Sequence, residues 1–233
     1  MTKPIAVIIG VGSGLSASLA RILAPQYDLV LAARSIEKLG DLAQETGATR
    51  VATDASDPAS MAALFDGLKS APRVAIYNPS SRVRGPINEL DPEQVRQAIE
   101  ITAFGSFLMG QAAVQKMLGN DLVEGRKGTI LFTGASAGVK GFANSASFAM
   151  GKFAQRGLAQ SMARELHPKG IHVAWVNIDG GIRNPDRSER LDGDTPDSML
   201  NPDAIAKAYL QLINQDRSAW SDELVLRPWV ENF

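Results

Sequence analysis

An apolar run, Ile5 to Ile9, stops at Gly10 and is followed at once by Val11-Gly12-Ser13-Gly14, after which Ser16 to Leu23 carries helical spacing. This glycine cluster, set between a strand and a helix, constrains the backbone more than anything else in the chain. Glycine is needed where a chain turns sharply and where main chain must approach another group closely. The helix that follows opens with N–H groups that have no partner within it, and its dipole places positive charge at that end. A strand–turn–helix unit of this kind suits a pyrophosphate. The same residues would also serve a plain tight turn.

The pattern continues down the chain. Leu29 to Ala33, Arg50 to Thr53, Val74 to Tyr77, Thr129 to Phe132, Val173 to Ile178 and Glu223 to Leu226 read as short strands. Pro58 to Leu68, Gln94 to Leu118, Ser147 to Leu166 and Pro202 to Gln215 read as helices, and Asp91-Pro92-Glu93 is a helix start with its cap and first-turn proline. Strands that are apolar throughout belong in a parallel sheet covered on both faces. The alternation predicts an α/β fold: one Rossmann-type, doubly wound parallel sheet forming a single domain over residues 1–233. Arg183 to Asn201, rich in charge, proline and aspartate, is the one long irregular segment, either a lid over a site or a solvated excursion.

Composition removes several classes of function. A net charge of −1 offers no electrostatic attraction to nucleic acid or an anionic membrane. With no cysteine and two histidines, thiolate chemistry is excluded and no metal site is expected. Lys3 and the apolar run after it have the outline of a secretory leader, but the run is short and broken by the glycines of the turn. Ile101 to Leu118 comes nearest to a membrane span and is interrupted by Gln111, Gln115 and Lys116. A cytoplasmic location is the expectation.

The second strand ends in Ala33-Arg34-Ser35. A carboxylate here would meet the ribose 2′-hydroxyl of NAD, and none is present. Arg34 and Ser35 instead suit a 2′-phosphate, so NADP (NADPH) is preferred over NAD. Arg34 would otherwise be a surface residue of the next helix.

The run GTILFTGASAGVKGFANSASFAMGKFAQRGLAQSMAREL, Gly128 to Leu166, resembles the active-site segment of the short-chain dehydrogenase/reductases, and the resemblance extends from about Pro4 to Pro228. It implies an oxidoreductase acting on a small carbonyl or alcohol substrate, assembled as a homodimer or homotetramer through the helices Gln94 to Leu118 and Ser147 to Leu166. The implied cofactor contacts are Gly10, Ser13, Gly14 and Leu15 at the phosphate turn, with Ser16 at the family's third glycine. Arg34 and Ser35 follow, then Asp54 and Ala55 at the adenine, Asn78 and Lys152 near the nicotinamide ribose, and Ile182 at the carboxamide. In this family a Tyr four residues before a Lys delivers a proton to the carbonyl. Here Lys152 is present and Phe148 stands at the Tyr position. The family's serine position falls on Ala135, with Ser136 one place later, and its asparagine on Thr102. Lys152 and Ser136 are the catalytic candidates. Tyr77 is either a substitute acid or a core aromatic, and Asp179 either a base or a turn cap. A non-catalytic NADP(H)-binding protein is the alternative that explains Phe148 directly.

Overall fold

The computed structural model describes residues 3–184, 186–187 and 197–231. In chain order the elements are β1 (Ile5–Ile9), α1 (Leu15–Leu23), β2 (Asp28–Ala33), α2 (Gly40–Thr46), β3 (Thr49–Ala52), α3 (Pro58–Asp66) and β4 (Val74–Tyr77). Then come α4 (Pro92–Ile99), a π turn (Glu100–Phe104), α5 (Gly105–Met117), β5 (Gly128–Thr133), α6 (Ala146–Leu166), β6 (Ile171–Ile178), α7 (Pro202–Ile213) and β7 (Glu223–Leu226). The strands form one seven-stranded sheet in the order β3-β2-β1-β4-β5-β6-β7. All six pairings are parallel. The winding direction reverses between β1 and β4. Ligands of doubly wound sheets bind at the carboxyl ends of the strands beside such a point.

Strand β1 shows how the two layers arise. Ile5, Val7 and Ile9 enter one apolar cluster, with Phe65, Met109, Phe132 and Trp175. Ala6 and Ile8 enter the other, with Leu19, Val176, Tyr209 and Leu212. The period-two alternation of a strand therefore feeds two cores, and both faces must be apolar.

Three helices start alike. Asp57 caps α3, Asp91 caps α4 and Asn201 caps α7, each followed by proline and each accepting first-turn backbone N–H groups. Helix α2 has no side-chain cap and only seven residues, and the sequence pattern did not indicate it. Strand β3 begins one residue earlier than expected, at Thr49, while α3 stops at Asp66 and α7 at Ile213. The segment proposed as a lid lies mostly outside the described residues. Its two stems pair, Leu200 N–H donating to Gly181 O at 2.7 Å and Arg183 N–H to Leu200 O at 2.9 Å. Among the described residues no helix is long and apolar enough to cross a membrane.

The π turn between α4 and α5 is held by side chains. Its wider spacing displaces carbonyls from regular helical bonding. The Tyr77 hydroxyl donates to the Ile101 carbonyl and Ser106 Oγ to the Thr102 carbonyl at 2.6 Å. Gly105 follows because a Cβ there would run into the Tyr77 hydroxyl and the Ala55 carbonyl. Gly157, on the outer face of α6, has nothing within 4 Å of a Cβ position. The two glycines should respond oppositely to alanine. Gly105→Ala should destabilise the fold by roughly 1–3 kcal/mol through overpacking. Gly157→Ala should stabilise it by about 0.5–1 kcal/mol through helix propensity. Urea unfolding midpoints decide both, and equal shifts of one sign would contradict this packing.

Candidate active site

The phosphate turn stands at the switch point. Gly10 has φ +78°, and a Cβ on it would lie 2.6 Å from Pro79 Cγ, so only glycine lets the end of β1 pass the residues after β4. Gly14 caps α1 without any side-chain hydrogen bond, which leaves the helix N-terminus to an outside acceptor. A Cβ on Gly12 would meet nothing within 4 Å, so the turn is open on that side. Ser16, at the family's third glycine, does not crowd this space. Its side chain is turned inward, Oγ donating to Gly10 O at 3.1 Å and accepting from the Asn78 amide. It therefore fastens the turn to the end of β4 and fixes Asn78 there. Ser13 meets Asn184 at 3.5 Å, and a Cβ on Gly14 would lie 3.3 Å from Asn184 Nδ2. The chain after β6 thus leans over the turn, with Leu15 buried beneath it.

Arg34 and Ser35 are exposed just past β2. Asp54 follows β3, on the neighbouring strand. Its Oδ1 accepts from Ser56 N–H at 2.9 Å and Ser56 Oγ at 2.7 Å. These bonds, with a smaller contribution from the Arg34 charge, hold the carboxyl below the usual carboxylate range. Ala55 is buried, its carbonyl against Gly105.

Lys152 lies on α6 with 2% of its surface exposed. Its Nζ donates to the Thr133 carbonyl at the end of β5, at 2.6 Å, and to Gln155 Oε1 at 3.3 Å. Both acceptors are neutral, and burial pushes the ammonium down to about 7. Gln155 passes the network on, donating to Ser106 Oγ at 2.9 Å. Lys152 Nζ is 5.9 Å from the centre of the Phe148 ring. Over that ring, 4.1 Å from its centre, lies the guanidinium of Arg82. Ser136 begins a short turn after β5, its carbonyl accepting from Val139 and Lys140 N–H at 3.0 Å each. That turn packs on α6 through Gly138, where a Cβ would lie 2.5 Å from the Trp175 indole and 3.1 Å from the Lys152 carbonyl.

The structure thus gathers Gly10, Ser13, Gly14, Asn78, Ser136, Phe148, Lys152 and Ile182 at the carboxyl ends of the central strands, with Arg34 and Asp54 on the β2–β3 side. Tyr77 is a core aromatic. It is fully buried, its hydroxyl is committed to the π turn, and burial pushes its pKa up, so it holds its proton. Asp179 pairs with Arg227 at 3.4 Å. His167 and His172 pack with Trp220 near the amino end of β6, away from the site. Sequence reasoning missed Arg82, which lies in an aperiodic stretch. One signal was present: it follows β4, the strand at the switch point. Among the described residues no group of His, Cys, Asp and Glu could hold a metal ion.

Comparison with known proteins agrees with this geometry. Residues 4–189 match the family described as short chain dehydrogenase. The chain is 31% identical over 181 residues to cis-4-hydroxycyclohexanecarboxylate dehydrogenase of Sinomonas cyclohexanicum, covering 74% of this chain and 71% of that protein. It is 28% identical over 131 residues to the uncharacterized oxidoreductase YciK of Escherichia coli, covering 56% of this chain and spanning about half, 49%, of that protein. A short-chain dehydrogenase structure from Rhodopseudomonas palustris superposes with TM-score 0.80 at 32% identity, over 97% of this chain and 99% of that one. A metagenomic short-chain oxidoreductase in complex with NADP superposes with TM-score 0.82 at 24% identity, over 99% of each chain, a likeness of fold.

The buried lysine makes stability depend on pH. Folding lowers the Lys152 pKa from 10.5 to about 7. Between those values the unfolded chain holds a proton that the folded chain has released, so this group makes stability rise with pH. Lys152→Met should remove that rise, and the variant's advantage over the parent should be largest near pH 6 and shrink toward pH 10. Urea midpoints for both proteins across this range test it; parallel profiles would mean that Lys152 titrates at an ordinary value.

Proposed function

Because the chain belongs to the short-chain dehydrogenase family, a family of oxidoreductases, we propose that it is an NADP(H)-dependent oxidoreductase of small carbonyl and alcohol compounds with an atypical proton donor. The observation that carries this reading is the uncapped N-terminus of α1 behind the Gly10–Gly14 turn, at the point where the sheet reverses. The open side of Gly12 leaves room for a pyrophosphate, and Arg34 and Ser35 would hold a 2′-phosphate. The NADP in the metagenomic neighbour and the hydroxy compound in the name of the Sinomonas relative support the cofactor and the substrate type.

The bound nicotinamide would supply or accept the hydride. The chain's own residues position and move protons. Asn78 and Ile182 frame the nicotinamide end, and Ser136 orients the carbonyl oxygen with its hydroxyl. The proton that the family takes from a phenol would come here from the Ser136 hydroxyl, from a water held by Lys152, or from the substrate itself. General acid catalysis is worth about 10²–10⁴-fold, so unactivated ketones are poor substrates for this arrangement.

Phe148 favours a second reading, in which the protein binds NADP(H) without turnover. A phenyl ring has no proton to give, and a guanidinium covers its face. In either reading the protein is a cytoplasmic homodimer or homotetramer. Exposed Phe104 and Phe107, stacked at 6.1 Å, and exposed Met150 and Phe153 on α6 support assembly through these helices.

NADPH should bind more tightly than NADH in a fluorescence titration, and Arg34→Ala should erase most of the difference. Equal binding by the parent would refute the reading of β2. Phe148→Tyr should raise NADPH-dependent reduction of activated aldehydes and ketones by about ten-fold or more, the scale of a restored general acid. A parent that binds NADPH and reduces nothing across a broad carbonyl panel, with no gain in this variant, would favour the non-catalytic reading.

A further inference from the structure

Gln155 is fully buried on α6, three residues after Lys152, and its carboxamide meets three groups. Nε2 donates to Ser106 Oγ at 2.9 Å. Oε1 accepts from Lys152 Nζ at 3.3 Å and from Trp175 Nε1 at 3.4 Å. These partners fix which way the amide points. An indole N–H can only donate, so Trp175 needs the oxygen. A carbonyl can only accept, so the Ser106 hydroxyl gives its proton to Thr102 O, at 2.6 Å, and has only lone pairs left for Gln155. The two constraints come from different elements, α5 and β6, and they agree. The amide nitrogen faces the π turn and the oxygen faces Lys152.

A lysine ammonium offers three hydrogen-bond positions. The Thr133 carbonyl fills one at 2.6 Å and Gln155 Oε1 a second. Thr133 is itself fixed, its hydroxyl meeting that of Tyr209 on α7 at 2.8 Å. Among the described residues no carboxylate pairs with Lys152. Glu223 of β7 is held by Arg156 at 2.7 Å, and the Arg82 guanidinium lies over Phe148. Burial raises the pKa of both Tyr77 and Tyr209, so they keep their protons. The charge on Lys152 is therefore governed by burial and by two neutral oxygens, one of them on a side chain that can be replaced.

We propose that Gln155 is a positioning residue for Lys152: the chain Thr102–Ser106–Gln155, fixed at its far end by Trp175, locks an oxygen against the amine and, with Thr133, leaves Lys152 one defined position for the nicotinamide ribose or a water. This rests on the reading that Lys152 lies beside the nicotinamide ribose, and it adds that the π turn acts on the lysine through Gln155. Thr102 stands at the family's asparagine position, and the connection starts from its backbone carbonyl rather than from its side chain.

The test follows the lysine itself. The NMR signal of the Lys152 ε-methylene in the full chain, assigned by its loss in Lys152→Met, is titrated with pH in the absence of cofactor. Gln155→Met should lower the midpoint by about one unit or more, because the ammonium loses an acceptor. Gln155→Glu should raise it above that of the parent. Ser106→Ala should also lower it, although Ser106 makes no hydrogen bond to Lys152, and should have no further effect in the Gln155→Met background. The second readout is NADP⁺ affinity by calorimetry. Lys152→Met and Gln155→Met should each weaken it by about three-fold or more, and the double variant should bind no more weakly than Lys152→Met alone. A residue that only fills the core changes stability and neither of these quantities. Midpoints that stay at the parent's value in the Gln155 variants, or losses of affinity that add, would overturn the proposal. If the parent does not bind NADP⁺, the cofactor reading is the one that fails, and the Lys152 midpoints alone then decide the role of Gln155.

Discussion

Everything at this site hangs on how closely α6 approaches the π turn. A Cβ on Gly151 would lie 2.8 Å from Thr102 Cβ, so the helix can come this near only because glycine faces threonine. The π turn has a fixed shape because Tyr77 and Ser106 bond its displaced carbonyls, and Gly105 leaves room for the Tyr77 hydroxyl. With that contact set, the rest follows by geometry. Phe148 is one turn before Gly151, and Lys152 directly after it. Ser147 reaches the loop after β4 from one side while Thr102 reaches it from the other.

The close approach also explains why a lysine can be buried here at all. An amine in a low-dielectric interior loses hydration that neutral acceptors only partly replace. The Thr133 carbonyl and Gln155 satisfy two of its donor positions, and Gln155 is itself held by Ser106. Such a group is easily discharged near neutral pH, unlike the arginine nearby, which stays charged at any accessible pH. The two bases around Phe148 therefore have different chemistry. Burial lowers the pKa of one, and the other keeps its positive charge.

How much of this was legible in the sequence varies with the kind of signal. The strand–glycine–helix unit at Gly10 to Gly14 and the Asp91-Pro92 helix start are local patterns, and with the strand–helix alternation they indicated one parallel sheet; its switch point came only with the strand order. Helix α2 was not legible, because seven residues without a cap carry too little periodicity to distinguish from a loop. Ser16 read as a defect in the glycine pattern, because its inward bond to Gly10 O depends on a rotamer that sequence does not encode. Tyr77 was open between acid and core until its hydroxyl was seen against the π turn, a contact made across twenty-four positions. Arg82 carried no pattern. Its place is defined by Thr102 and Ser147, neither of which announces a partner in the loop after β4.

Phe148 and Thr102 both meet the loop after β4, Phe148 through the Arg82 guanidinium and Thr102 through the Ser81 N–H. A tyrosine at 148 would serve its usual role only if its hydroxyl and the space before it were open to a carbonyl. A guanidinium lies over the face of the ring, 4.1 Å from its centre. Stacking itself does not need the hydroxyl, because the ring face supplies the attraction. Thr102 presents a short hydroxyl that accepts from the Ser81 N–H, and that bond draws the loop down onto α6. Arg82, between Ser81 and Val83, lies with its guanidinium over Phe148.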